Sequence, residues 1–139
     1  MKKLALYYSF DDKTRRMAYS KEDELKVDKM VEIKEVKRRS KFNTVIPGIF
    51  EAMKLKKPEI EPLGVDLNEY GTIIIFMPLW GGYPAPAMNS VIELIPKGKN
   101  IELYMTSPGG KSIKSADNTS NEIQKRGALV TKYVDVMVT

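Results

Sequence analysis

Three short stretches carry residue types and spacings suited to holding a ligand. The first is Ser9-Phe10-Asp11-Asp12-Lys13-Thr14, hydroxyls and charges that follow an apolar run. A polar loop of this kind entering a helix gathers unpaired backbone N–H groups and the positive end of the helix dipole, which suits an anion. The second is Pro78-Leu79-Trp80-Gly81-Gly82-Tyr83-Pro84-Ala85-Pro86, with the chain's only tryptophan. Its indole offers a flat π surface, and its glycines let backbone approach whatever stacks there; a core tryptophan capping a strand is the plainer alternative. The third is Thr106-Ser107-Pro108-Gly109-Gly110, again polar and glycine-rich. There is no cysteine and no histidine, so thiol chemistry, disulfides and imidazole acid–base catalysis are excluded. Chemistry must come from carboxylates, hydroxyls, lysines, backbone groups or a borrowed cofactor. Tyr83 and Tyr104 could donate protons, but packing is the simpler reading of each.

The surrounding pattern predicts how these stretches are positioned. Residues 4–8 form a nearly continuous apolar run, as expected of a parallel strand buried on both faces. A helix is expected from Thr14 to about Leu25, with a thin stripe of Met17, Ala18 and Leu25, and with Lys21 where a buried residue belongs. Residues 30–36 alternate as an edge strand with one wet face, residues 37–48 are basic and loop-like, and residues 49–54 suggest a short helix. Pro58 and Pro62 bracket an extended linker that leads into a β-branched strand over residues 72–77. Met88, Val91, Ile92 and Ile95 are spaced for a helix over residues 86–95, which Pro96 stops. Residues 100–105 read as a fourth strand, residues 111–126 as a polar helix capped by Gly127, and residues 129–138 as a fifth strand with no helix after it. Alternation of strand and helix predicts an α/β protein, a doubly wound parallel sheet between two helical layers. The three stretches then leave the carboxyl ends of the first, third and fourth strands, where open α/β sheets form their ligand crevice.

Length and charge set further bounds. The chain has 139 residues, enough for one domain with a proper core. Its net charge is +5 and uneven: residues 1–60 carry 16 Lys/Arg against 10 Asp/Glu, the remainder 7 against 8. The cluster of Lys34, Lys37, Arg38, Arg39 and Lys41 reads as a solvated loop, because no aromatic platform accompanies it as nucleic-acid binding would require. The longest apolar stretch is about half of the ~20 residues that a membrane helix needs. Tyr7-Tyr8-Ser9 interrupts the N-terminal patch too early for a signal peptide, so a cytoplasmic protein without membrane contact is expected.

The segment Tyr7-Tyr8-Ser9-Phe10-Asp11-Asp12-Lys13-Thr14-Arg15 resembles the phosphate loop of the flavodoxin family. It is most similar to the short flavodoxin-like branch reading tyrosine-tyrosine-serine-phenylalanine-glutamate-glycine-asparagine-threonine. Lys57-Pro58-Glu59-Ile60, Asp66-Leu67, the Pro78–Trp80–Gly82–Pro84–Ala85–Pro86 pattern and Thr106 with Gly109-Gly110 follow the same branch in order and spacing. The resemblance implies a five-stranded sheet of order 2-1-3-4-5 with flavin mononucleotide (FMN) at the switch point. It further implies a phosphate cradle of Ser9, Lys13, Thr14 and the backbone amides of residues 10–14, Phe10, Asp11 and Asp12 among them. Pro78, Leu79, Trp80 and Gly81 would wall one side of the isoalloxazine, and Thr106, Ser107, Pro108, Gly109 and Gly110 the other. The implied activity is electron transfer to a redox partner or NAD(P)H-dependent flavin reduction.

The sequence departs from that pattern in three places. Asp12 stands where the branch has glycine, Lys13 replaces asparagine, and the last helix is missing. A carboxylate about 4 Å from a phosphate oxygen costs up to ~4 kcal/mol at an intermediate dielectric, and Lys13, Arg15 or Arg16 could offset it. The basic balance also differs from the acidic flavodoxins that shuttle electrons. The alternative reading is therefore a flavodoxin-fold interaction module that has lost FMN, and a homodimer is one way to cover the face left without a last helix.

Overall fold

The computed structural model describes residues 2–37, 57–109 and 115–138. The expected short helix at 49–54, the loop from 38 and Gly110 lie outside the described residues. The elements in chain order are β1 (Lys3–Tyr7), α1 (Lys13–Ser20), α2 (Glu22–Leu25), β2 (Lys29–Glu32), β3 (Thr72–Trp80), β4 (Tyr83–Pro84), α3 (Ala87–Ile92), β5 (Asn100–Ser107), α4 (Ala116–Lys125) and β6 (Leu129–Met137).

The five long strands are parallel and ordered β2-β1-β3-β5-β6, with short β4 attached to β3 alone. This is the expected doubly wound α/β architecture with one added strand. Period-two alternation sorts the side chains of the central strands. Leu4, Leu6, Ile73, Ile75, Met77, Ile101, Leu103 and Met105 join Met88, Val91 and Ile123 in one buried layer. Ala5, Tyr7, Ile74, Phe76 and Tyr104 form a smaller cluster with Ala18 of α1. Both faces of β1, β3 and β5 are apolar because helices lie on each side, which is what their unbroken hydrophobic runs required.

Several boundaries differ from expectation, each for a local reason. The helix expected over 14–25 is two helices, divided at Lys21. Its second part ends with Lys26 at φ 56°, where Val27 N–H donates to Glu22 O (3.1 Å) and Lys26 N–H to Asp23 O (3.2 Å). That is a Schellman closure with lysine in the left-handed position glycine usually takes. Lys21 resolves its conflict with the apolar stripe by lying over Tyr104, its Nζ 5.9 Å from the ring centroid, while Tyr104 stacks on Phe76 at 4.9 Å. Lys132 of β6 lies over the same ring at 5.9 Å, so lysine stems cover this part of the sheet.

The edge strand expected over 30–36 stops at Glu32. From there the chain turns to an antiparallel bridge between Glu35 and Ile60, which buries Ile33 and Glu35. The helix expected over 86–95 is confined to Ala87–Ile92, and α4 begins at Ala116. Gly127 ends α4 as expected, with φ 83° and its N–H on Gln124 O.

Candidate functional site

The β1–α1 connection leaves the sheet between β1 and β3, where Tyr8 N–H still donates to Phe76 O (3.1 Å). Asp12 then adopts φ 74° and α1 starts at Lys13. A left-handed aspartate is tolerated at a cost of about 1–2 kcal/mol, and it is the geometry that glycine would supply freely. The first intrahelical bond is Arg16 N–H to Asp12 O. Of the earlier amides, Lys13 N–H donates to Asp11 Oδ1 (3.3 Å) and Arg15 N–H to Ser9 Oγ (3.2 Å). Both acceptors come from the loop itself.

The two aspartates have cationic neighbours. Asp12 Oδ1 lies 3.4 Å from the Arg15 guanidinium, and Asp11 Oδ2 lies 3.7 Å from Lys13 Nζ. Such exposed pairs contribute little stability, but they direct each carboxylate toward a positive charge. Beneath α1, Tyr7 packs edge-on against Tyr19 at 5.7 Å. Burial, reinforced by the hydrogen bond to Tyr19 and by the charge of Glu32, pushes the Tyr7 phenol up to about 12. The Arg15 guanidinium is held further toward its charged form by its hydrogen bonds to Asp12 and Tyr7.

Trp80 does not sit in a loop. β3 continues through Pro78 and Leu79 to Trp80, and the chain reverses in a two-residue turn with Gly81 at φ 63° and Gly82 at φ 86°. Two consecutive positive φ values define the type I′ hairpin turn, which pairs Trp80 with Tyr83 and Leu79 with Pro84. The tip is tied to the start of α4, where the buried Ser115 hydroxyl donates to Gly82 O (2.7 Å). Two rings flank the half-buried indole edge-on: Tyr8 at 6.1 Å and 67°, and Phe10 at 6.2 Å and 83°. Tyr83 is part of this hairpin, and Tyr104 lies in the lysine-covered cluster on the sheet.

The third stretch begins earlier than expected within a strand, because Thr106 and Ser107 still belong to β5. Thr106 is buried, and its Oγ1 lies 2.7 Å from Oγ1 of buried Thr14, which joins the end of β5 to the first turn of α1. Pro108 and Gly109 follow on the exposed side.

Most of the expected residues converge. Phe10, Asp11, Lys13 and Thr14 from the first stretch, Pro78, Leu79 and Trp80 from the second, and Thr106, Ser107 and Pro108 from the third line one cavity of about 120 Å³. Val138 closes it, a residue that sequence reasoning left out although its apolar strand position was visible. Ser9 faces a second cavity of about 130 Å³ with Tyr8, Glu32, Ile33, Lys34 and Glu35, and Phe10 borders both. Asp12, Gly81 and Gly109 line neither. An anion-suited helix start, an apolar aromatic wall and a hydroxyl-bearing strand end thus surround one space, the arrangement that holds a flat ring with an anionic tail.

No protein-family model and no curated protein matches the sequence. Solved structures do. A flavoprotein from Lactobacillus acidophilus NCFM, solved in complex with FMN, is 26% identical with a TM-score of 0.74, covering 95% of this chain and 91% of that one. A protein from Bacteroides eggerthii DSM 20697 is 21% identical with a TM-score of 0.82, covering 96% and 86%. Oxidised flavodoxin 1 from Bacillus cereus is 16% identical with a TM-score of 0.58, covering 100% and 86%. This chain has the flavodoxin-like fold. In the flavodoxin-like frame, the cavity falls at the switch point where β1 and β3 carry the chain to opposite sides of the sheet. Among the described residues, no helix is long and apolar enough to cross a membrane.

Proposed function

We propose that this chain is a single flavodoxin-like domain that binds FMN at the carboxyl ends of β1, β3 and β5. The observation that carries the reading is the shared cavity, in which Trp80, Thr14 and Thr106 meet although they are far apart in sequence. The donor set fits the cofactor. The amides of residues 10–14, with Ser9, Lys13 and Thr14, would hold the phosphate. Asp11 and Ser9 already accept hydrogen bonds from two of the α1 amides, so a phosphate would take over positions that oxygens occupy now. The paired Lys13 and Arg15 moderate the repulsion from Asp11 and Asp12.

Pro78, Leu79 and Trp80 would wall one side of the isoalloxazine, with Thr106, Ser107 and Pro108 on the other. Bound FMN supplies the capacity to accept and pass on electrons or hydride; the chain supplies position, exclusion of water and a largely apolar setting for the ring. The protein then acts in electron transfer with a redox partner, or as a small NAD(P)H-dependent flavin reductase, within the cytoplasm.

The test is a visible spectrum of the purified protein and an FMN titration. Yellow protein, or colourless protein that quenches added FMN, is the expected result; a colourless protein without quenching would sink the proposal. Oxidation of NADH or NADPH by the loaded protein then separates reductase from electron carrier. One observation favours a second reading, a module without cofactor: the 120 Å³ cavity is smaller than the ~300 Å³ at which ligand pockets usually begin. Under that reading Asp12→Gly with Lys13→Asn creates FMN binding that the natural chain lacks.

A further inference from the structure

Neither Tyr8 nor Glu35 belongs to the wall or cradle described above, yet the two are joined beneath it. Glu35 is 7% exposed and Tyr8 6%, and the Tyr8 hydroxyl donates to Glu35 Oε1 over 2.5 Å. A polar side chain buried this far needs hydrogen-bond partners, and the Tyr8 hydroxyl supplies one. The backbone on both sides of Glu35 is fixed. Ile33 N–H donates to Tyr7 O (2.7 Å), Val36 N–H to Glu59 O (2.9 Å), and Glu61 N–H to Lys34 O (2.7 Å). Glu35 is therefore an anchored acceptor, and it holds the far end of the Tyr8 ring.

The near end of that ring meets Trp80 at 6.1 Å and 67°. Trp80 is half-buried at the end of a hairpin whose return strand is only two residues long, so the rings beside it help to set its orientation. Beside Tyr8 lies the cavity of about 130 Å³, also bordered by Glu35, into which an untethered phenol ring could turn. The hydrogen bond to Glu35 opposes that rotation.

We infer that Tyr8 and Glu35 are a positioning pair that fixes the orientation of the Trp80 indole, and with it the face offered to a bound flavin. The second clause rests on the FMN reading; the first stands without it. Three strand ends act together here: β2 supplies the acceptor through its continuation, β1 the lever and β3 the indole.

The test uses Tyr8→Phe, Glu35→Leu, which removes the acceptor, and the double variant. Because the chain has one tryptophan, fluorescence excited at the red edge of the indole band, beyond tyrosine absorption, reports Trp80 alone in flavin-free protein. Tyr8 is the member of the pair whose ring meets Trp80, so Glu35→Leu should shift the emission maximum of folded protein, and add little further in the Tyr8→Phe background. FMN affinity should fall about 3- to 10-fold in each single variant and no more in the double. An unchanged Trp80 signal in both single variants, or effects that add in the double, overturns the pairing. A purely structural role would lower the melting temperature but leave the emission of the folded state unchanged, which also overturns it. If the natural chain binds no FMN, the proposed function fails on its own, and the flavin-free spectra still decide the positioning pair.

Discussion

At the β1–α1 end of the cavity, Asp11 and Asp12 face solvent, and exposed ion pairs and hydrogen bonds within the loop set their directions. At the β3 end, Trp80 is set by rings on two sides, by a type I′ turn and by a buried serine on Gly82. The first end depends on backbone shape and charge, which salt screens and which one residue change can alter. The second depends on packing among apolar groups, which tolerates little change in volume. Where the ends meet, a buried hydroxyl pair, Thr14 with Thr106, locks one to the other. A binding site can thus be chemically adaptable at one end while the other end stays rigid.

The contrast can be broken most visibly at the rigid end. Trp80→Ala removes the stacking surface, and since ring stacking contributes about 1–3 kcal/mol, FMN affinity should fall ~10- to 100-fold in a fluorescence titration. Beneath the charged end, the Tyr7 phenol at about 12 is raised above its ordinary 10. A raised folded-state value stabilises the protein fully below pH 10 and loses that contribution as pH climbs toward 12. Urea unfolding across that window should show a loss on the order of 2 kcal/mol, and Tyr7→Phe should flatten the slope. A flat profile in the natural chain would show that Tyr7 titrates freely.

At the seam, Thr106→Val leaves the buried Thr14 hydroxyl without its partner and should cost about 1–3 kcal/mol in unfolding free energy. The Thr14→Val, Thr106→Val double variant should lose less than Thr106→Val alone, because both polar groups are then gone; a larger loss would deny the pair its locking role. The smallest expected effect is at the adaptable end. Asp12→Gly removes left-handed strain of about 1 kcal/mol and one negative charge, so thermal stability should rise modestly and FMN affinity about tenfold. The affinity difference should shrink as salt is added; if it does not, charge is not what distinguishes this end.

Much of the fold was legible because it follows from local pattern. The apolar runs at residues 4–8 and 72–77 required strands buried on both faces, and their alternation with helical segments pointed to a parallel sheet between helices; the order of its strands was what the flavodoxin resemblance implied. The positive φ at Asp12 was foreshadowed by the glycine its counterparts carry, and the cap at Gly127 by residue type alone. Less legible were features where one segment answers another. Nothing near Lys21 announced that it would lie over Tyr104, a residue two strands away from β1 on the same face of the sheet, and although Gly81-Gly82 is a hairpin signal, only the pairing with Tyr83 and Pro84 takes Trp80 out of a loop. Glu35 looked like one polar position in an alternating edge strand, but the bridge to Ile60 buries it against Tyr8.

By itself, then, the sequence determined which residues could form strands and helices, at the ends of which strands the three ligand-suited stretches lie, and that no cysteine or histidine chemistry takes place. These are properties of composition and of short-range spacing. Only the tertiary structure decided that Thr14 touches Thr106, that the Trp80 indole stands between Tyr8 and Phe10, and that a buried glutamate stands behind them. Those contacts depend on strand register and on how separate segments fill shared volume. No local window of the chain contains that information.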